Sequence, residues 1–280
     1  MEIKYSCTYW GSEKYSPAKF IERVAEAGYN GIEVFLQPGD ALSEEFSHSL
    51  NDIRKSIPDF YLIALQLTFP GNSTVSEYIK QMQKSIQELA TYNPLFINSH
   101  TGRDFYSFDD NCRIIEAANE SAQKEKIRLM HETHRGRFSF HAAHLLPYLE
   151  RFPELELVAD FSHFCNVSES MLEDQNQIID KIIPHVGHVH ARIGFEEGPQ
   201  VNDPSAPEWS KHLDTFMNWW KQIAAYKQAN AKSTLTFTTE FGPIPYMPAH
   251  PRTLIPLSDQ WESNLFMLNC LKKEFGTHSK

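Results

Sequence analysis

A strict alternation between short apolar runs and longer amphipathic segments extends through the whole sequence. Residues 3–10 are rich in β-branched and aromatic side chains and predict a strand. Ser16 and Pro17 favour the start of a helix, whose apolar positions recur at helical spacing until Gly28. Gly31–Phe35 predicts a second strand. The chain is therefore predicted to open with a β-α-β unit.

The same pattern continues until the sequence has predicted eight strands and eight helices. The later strands are predicted at 61–69, 95–99, 127–132, 155–160, 186–191 and 234–240. The later helices are predicted at 42–56, 74–91, 108–125, a segment ending near 152, 171–183, 208–228 and 257–275. Such alternation implies parallel strands joined by right-handed crossovers.

Two architectures accommodate this order, an open doubly wound sheet and a closed barrel. Eight repeats favour the closed α/β form, a (β/α)8 TIM barrel, and no GxGxxG or GxxxxGK[ST] motif marks a nucleotide site. No linker, repeat or low-complexity tract divides the 280 residues, so one domain spanning 1–280 is predicted. In a barrel, the long connections 192–206 and 241–255 would lie on the catalytic face.

Charge and cysteine content narrow the classes of partner. The net charge of −10 argues against nucleic acid and anionic membranes, which are bound through basic patches. Four cysteines far apart predict reduced thiols rather than a zinc or redox motif. No 18-residue apolar stretch and no signal-like start are present, so a cytoplasmic protein is expected.

Polar residues end each of the last four predicted strands. Glu132, Asp160, His190 and Glu240 hold these positions. Because the carboxyl ends of parallel barrel strands form one ring, the four side chains are expected to be neighbours. Carboxylates and imidazole are ligands of divalent ions, and three converging carboxylates would repel one another without a cation. One divalent metal ion is therefore predicted, and Mn²⁺, Mg²⁺, Co²⁺ and Zn²⁺ all remain open.

Each of these residues also has an ordinary structural interpretation. A single Glu or Asp at a strand end can cap a helix or form an ion pair, but these explanations do not account for four consecutive strands ending alike. His188 and His190 point to the same face because they are two residues apart. His190 lies nearer the catalytic rim and is assigned to the metal, whereas His188 is expected one layer deeper.

The ordered set of motifs resembles the xylose isomerase-like TIM barrels of the sugar phosphate isomerase/epimerase superfamily, over almost the whole chain. The set comprises the segment 27–33 (AGYNGIE), Glu132, the segment 160–163 (DFSH), the segment 188–190 (HVH) and Glu240. The resemblance implies that the two glutamates are also the acid and base of the reaction. It further implies that His163 and Arg192 contact substrate oxygens.

The function implied is metal-dependent isomerisation or epimerisation of a sugar, sugar phosphate or polyol. A proton would move next to a carbonyl through an enediolate. A dehydratase or lyase of an inositol-like ketone needs the same site and remains an alternative. Less favoured are a phosphodiester hydrolase, which shares the barrel but needs a basic groove, and a non-catalytic sugar-binding barrel. A homo-oligomer stays open.

Further residues are candidates for substrate contact. His100 ends strand four and would either orient substrate or hydrogen-bond below the metal, while His134 begins a basic run, 134–137, that could hold an anion. Glu33 would accept a sugar hydroxyl or form an internal ion pair. Aromatic residues that could form an apolar wall or simply pack in the core are Trp10, Phe35 and Phe69. Tyr246 and His250 lie in the last long loop, where they could cover the substrate.

Overall fold

The computed structural model describes residues 1–69, 71, 73–231 and 234–276 as one closed barrel of parallel strands in the order β1 to β8. The (β/α)8 prediction is therefore confirmed. The strands are β1 Glu2–Thr8, β2 Gly31–Phe35, β3 Tyr61–Gln66, β4 Phe96–Ser99, β5 Leu129–Glu132, β6 Leu157–Ala159, β7 Val186–Ala191 and β8 Thr234–Thr239. The α-helices of this described part are α1 Pro17–Glu26, α2 Ala41–Ser56, α3 Val75–Ala90, α4 Phe108–Glu125, α5 Ala142–Arg151, α6 Phe161–Ser168, α7 Asn176–Ile182, α8 Ser210–Ala229 and α9 Gln260–Phe275.

Helix starts follow the capping signals of the sequence. Ser16 accepts from the backbone N–H of Lys19 ahead of Pro17, as expected. Thr74 and Glu77 form a capping box at the start of α3. Pro147 lies inside α5, which runs without a break from Ala142 to Arg151. Among the described residues, no helix combines the length and apolarity needed to cross a membrane.

The region after β6 differs from the sequence prediction. One helix was expected at 171–183, but two are present, and the first, α6, begins at Phe161 directly after the strand. Asp160 caps it by accepting from the backbone N–H of Ser162. The predicted strand end at 160 is therefore already a helix cap. This places the Asp160 carboxylate at the mouth of the barrel with its backbone fixed by α6.

The barrel interior changes from apolar to polar along its axis. Its lower layer is a buried cluster of Tyr61, Ile63, Phe96, Met130 and Val158. The next positions along the same strands carry Asn98 and Glu132, two residues beyond Phe96 and Met130. The apolar layer thus closes the bottom of the barrel, and the polar side chains collect at the carboxyl ends of the strands.

The two long loops pack against each other over this end of the barrel. Gln200 donates from Nε2 to the carbonyl of Gly242 at 3.2 Å and accepts from its N–H at 2.7 Å. A side chain at Gly242 would collide with the Trp10 ring, since an ideal Cβ there would lie 2.2 Å from a ring carbon. A glycine at this position therefore allows the last loop to lie directly on Trp10.

His131 should make the stability of the fold depend on pH. It is 1% exposed on β5, its Nδ1 lies 2.6 Å from Thr101 Oγ1, and burial lowers its pKa to about 3. The unfolded chain takes up a proton below about pH 6.5, whereas the folded chain does so only near pH 3. This contribution to stability is therefore lost as the pH falls from about 6.5 towards 3.

The measurement is urea unfolding of the wild type and His131→Gln at pH 7 and pH 5. Between these pH values the wild type should lose about 2 kcal/mol more unfolding free energy than the variant. Equal losses in the two proteins would show that His131 does not stay neutral in the fold.

Candidate active site

The structure brings the four strand-end residues together. His190 Nδ1 lies 2.9 Å from Glu240 Oε2 and 3.8 Å from Glu132 Oε1. Asp160, His190 and Glu240 each offer a ligand atom within 4.8 Å of the other two. Glu132, Asp160 and His163 form an overlapping group by the same measure. The alternation of strands and helices predicted that these four strand-end residues would be neighbours, and they are. Metal binding by them remains a prediction.

Glu33 fixes the orientation of the His190 ring from across the barrel. Its Oε2 lies 2.9 Å from His190 Nε2, so Nε2–H donates to Glu33 and Nδ1 faces Glu132 and Glu240. Burial lowers the pKa of His190, but the carboxylates of Glu240 and Glu33 outweigh it and hold this pKa well above its usual value. The internal ion pair considered for Glu33 is present, while its contact with a sugar hydroxyl stays a prediction.

Glu132 is held by two further side chains. Its Oε2 accepts from Asn98 Nδ2 at 2.7 Å and lies 2.8 Å from His100 Nε2. Burial raises the pKa of this carboxyl, but His100 and His190 outweigh that effect, so the pKa lies well below its usual value. Glu132 is therefore ionised, with Oε1 directed towards His190.

Asn98 is a site residue that the sequence reasoning missed. Its Nδ2 donates both to Glu33 Oε1 at 2.9 Å and to Glu132 Oε2, so one amide ties two carboxylates together. The available signal was the position of Asn98 on β4, two residues before His100, since side chains two apart face the same side of a strand.

Asp160 is buried and paired with Arg192. Its Oδ1 accepts from the backbone N–H and hydroxyl of Ser162, and its Oδ2 contacts Arg192 Nη2. Burial raises the pKa of Asp160 to about 6, although Arg192 opposes this. A carboxylate oxygen has two lone pairs, so Oδ2 can still accept one more ligand.

Arg192 was predicted to contact substrate, and in the structure it mainly neutralises carboxylates. Its Nη1 lies 3.4 Å from Glu240 Oε2, and its side chain is 2% exposed. The ring of Tyr246, in the last long loop, covers the guanidinium at 4.9 Å, whereas His250 is exposed, and their predicted cover of the substrate stays a prediction. Arg192 still reaches the cavity wall.

His188 occupies the deeper layer that the sequence suggested. Both of its ring nitrogens are engaged, Nδ1 with Thr236 Oγ1 at 2.6 Å and Nε2 with Thr238 Oγ1 at 2.9 Å. Burial lowers its pKa to about 3, so the ring is neutral. This arrangement favours His190 over His188 as the predicted ligand.

Three histidines form a row beside Glu132. The His134 ring lies 4.5 Å from His100 and 3.9 Å from His163, and burial is the main cause of the low pKa values of His134 and His163. His100 and His134 line the cavity. His163 is fully buried behind them, 3.2 Å from Arg192 Nη2, so its predicted contact with substrate is not provided by this arrangement and stays a prediction.

The cavity above the four strand-end residues has a volume of about 380 Å³. Its wall includes the predicted site residues Glu33, His100, Glu132, His134, Arg192 and Glu240. Trp10 and Phe35 also line it, as one of their two interpretations required, whereas Phe69 is 69% exposed elsewhere. Trp219 and Trp220 are packed in the core.

The residues present fit a divalent cation. His190 Nδ1 and Glu240 Oε2 are buried and lack a hydrogen-bond partner, although each faces the other. The same carboxylates that raise the pKa of His190 would favour a cation at Nδ1 in place of a proton. Three carboxylates and one imidazole form an oxygen-rich set that suits Mn²⁺, Mg²⁺, Co²⁺ or Zn²⁺.

Solved structures share this barrel at low sequence identity. The 3-keto-D-glucoside 4-epimerase of E. coli aligns with a TM-score of 0.60 and 12% identity over 97% of this chain and 100% of that chain. A probable 3-DHS dehydratase of petrobactin synthesis from Bacillus anthracis aligns with a TM-score of 0.63 and 16% identity, over 96% of this chain and 98% of that chain. A sugar phosphate isomerase/epimerase from Parabacteroides distasonis aligns with a TM-score of 0.59 and 11% identity, over 97% of this chain and 94% of that chain.

Identities this low establish the fold alone. A comparison with curated protein sequences finds no match. The profile of one family, described as the xylose isomerase-like TIM barrel, matches residues 21–207, which is more than half of the 280 residues. The matched segment runs from α1 to the loop before α8 and includes Glu132, Asp160 and His190. The chain therefore belongs to the xylose isomerase-like TIM barrel family.

Proposed function

We propose that this chain is a divalent-metal-dependent sugar or polyol isomerase or epimerase that moves a proton next to a carbonyl. The convergence of Glu132, Asp160, His190 and Glu240 below one cavity carries the proposal. These four residues would hold the ion. When bound, it would polarise the carbonyl and its neighbouring hydroxyl and so acidify the adjacent C–H bond.

Two glutamates at the ends of different strands, β5 and β8, serve as base and acid. Glu132 is ionised, because its pKa lies well below its usual value, and it is therefore in the form that accepts a proton. Glu240 follows β8, lines the same cavity, and is 12% exposed, so it can return a proton from another direction. Return to the opposite face of the same carbon gives epimerisation, and return to the neighbouring carbon gives isomerisation.

The other residues position these groups. Glu33 holds the His190 ring, Asn98 and His100 hold Glu132, and Arg192 offsets the charge of Asp160. An epimerase and a sugar phosphate isomerase/epimerase among the structural neighbours support a reaction on a sugar. Substrate oxygens would meet His100 and His134 at the cavity wall.

The test is solvent exchange in D2O. Protein loaded with Mn²⁺ is incubated with D-fructose, D-fructose 6-phosphate, a keto-inositol and methyl 3-keto-D-glucoside, and deuterium at each carbon is followed by NMR. Incorporation next to a carbonyl is expected for at least one compound, and product analysis separates epimerisation, isomerisation and loss of water. Complete absence of exchange across the panel, in protein shown to contain metal, would refute the proposed reaction.

A further inference from the structure

The wall of the active-site cavity is divided between polar and apolar arcs. Most of its ionisable groups, including His100, Glu132 and Glu240, come from β4 to β8 and their loops, whereas Glu13 and Glu33 come from the first part of the barrel. The first three strands and the start of α2 supply a run of apolar side chains. These apolar residues include Trp10, Val34, Phe35, Leu42, Leu65 and Leu67. The reacting groups therefore share one cavity with an apolar surface.

The apolar arc is open to solvent where it faces the cavity mouth. Phe35 is 37% exposed and Leu42 is 39% exposed, while Trp10 is half-buried. A ligand made only of hydroxyl groups would set polar atoms against this arc without hydrogen-bond partners, which is unfavourable. An apolar group placed there would instead remove Phe35 and Leu42 from water, which is favourable in proportion to the area covered.

The charges of the cavity wall disfavour an anionic ligand. Glu13, Glu33, Glu132 and Glu240 all line it. Within the part of the chain that the structure describes, Arg192 is the one guanidinium in the lining, and it is already paired with Asp160 and Glu240. A phosphate placed away from the proposed metal ion would therefore meet carboxylates such as Glu13, and no unpaired arginine or lysine of the described lining would bind it.

The basic run 134–137 does not change this balance. Arg137 is 7% exposed and its Nη2 points to His100 Nδ1 at 3.5 Å, behind the cavity wall. Arg135 lies over the ring of Tyr246, 5.0 Å from its centroid, and donates to Asn166. Neither arginine lines the cavity.

We propose that the substrate is an uncharged keto-sugar or keto-polyol that carries an aromatic or aliphatic group at its non-reacting end. The reacting carbons would lie against Glu132 and Glu240, and the apolar group would lie on Trp10, Phe35 and Leu42. The part of this inference that concerns the keto-sugar rests on the proposed function. The part that concerns the apolar group rests only on the residues of the cavity wall.

Calorimetric titration tests the apolar half without requiring turnover. The Mn²⁺-loaded protein is titrated with methyl 3-keto-D-glucoside, with its phenyl counterpart, and with the methyl compound phosphorylated at O6. The phenyl compound should bind roughly 10- to 100-fold more tightly than the methyl compound, because a ring covers the apolar arc. The phosphorylated compound should bind at least about tenfold more weakly than its parent. Equal affinity of the phenyl and methyl compounds, or tighter binding of the phosphate, would overturn the inference.

Two variants and a matched control assign the effect to the wall. Phe35→Ser and Leu42→Ser should each reduce the ratio of phenyl to methyl affinity by roughly threefold or more. The control is Ile57→Ser, since Ile57 is also 39% exposed but follows α2 at the opposite end of the barrel. It should keep the wild-type ratio. A ratio unchanged in all three variants would place the apolar group elsewhere and so contradict the proposal.

Deuterium exchange on the same compounds separates the two proposals. Tighter phenyl binding without exchange would leave the apolar wall standing and refute the proposed reaction. Exchange combined with equal phenyl and methyl affinities would support the proposed reaction and refute the apolar part of the ligand.

Discussion

Replacing Glu132 by Gln should lower the rate of deuterium exchange into substrate by roughly 10²- to 10⁴-fold, the usual contribution of a positioned acid or base. The amide keeps the shape of the side chain, and its oxygen can still accept from Asn98 Nδ2. What it removes is the negative charge and the basic oxygen that faces His190. The fold should therefore survive while proton removal fails.

The control for this substitution is a carboxylate outside the cavity. Glu196→Gln neutralises a 41% exposed side chain that pairs with His212 at 3.1 Å, and it should keep wild-type exchange rates. Metal content of each variant must be measured alongside, because Glu132 is proposed to act as ligand as well as base. Exchange within about threefold of wild type in metal-loaded Glu132→Gln would exclude it as the base.

Addition of a divalent ion should raise the thermal stability of this protein, and the effect should depend on His190. An ion at about 100 times its Kd stabilises the folded state by about 2.7 kcal/mol, which raises Tm by roughly 5 °C in a chain of this size. His190 Nδ1 and Glu240 Oε2 are buried atoms that lack a hydrogen-bond partner, and they would bind the ion. Titration of Mn²⁺ and Co²⁺ during thermal unfolding measures the shift, and a chelator should reverse it.

His190→Gln should abolish this shift, whereas His212→Gln, a change at the histidine paired with Glu196, should retain it. Glu33→Gln should weaken metal affinity by about 10- to 100-fold without abolishing it, because Glu33 orients the His190 ring but is not itself a proposed ligand. Stability indifferent to metal and chelator in the wild type would remove the basis of the proposed site.

The architecture and the composition of the ring were predictable from the sequence for a simple physical reason. Strict alternation leaves parallel strands few topologies, and closing eight of them brings their carboxyl ends into one circle. Residues at those ends, such as Glu132 and Glu240, must then be neighbours, however far apart they lie along the chain. Strand and helix limits were less predictable. In particular, Asp160 was expected to end a strand, but it is the N-cap of α6. The sequence could not distinguish the two positions, because aspartate suits both a strand end and a helix N-cap.

Which side chain bonds to which was decided only by the tertiary structure. Glu33 and His190 are 157 positions apart, and their contact depends on the stagger of strands across the barrel, which no local pattern encodes. The same holds for Asn98 between two carboxylates and for Arg192, which lies on Asp160. The sequence alone thus determined a ring of metal-binding residue types at one end of a barrel. Only the folded chain set the direction of each imidazole and carboxylate, because most buried polar side chains there are fixed by a specific hydrogen-bond partner, as His190 is by Glu33.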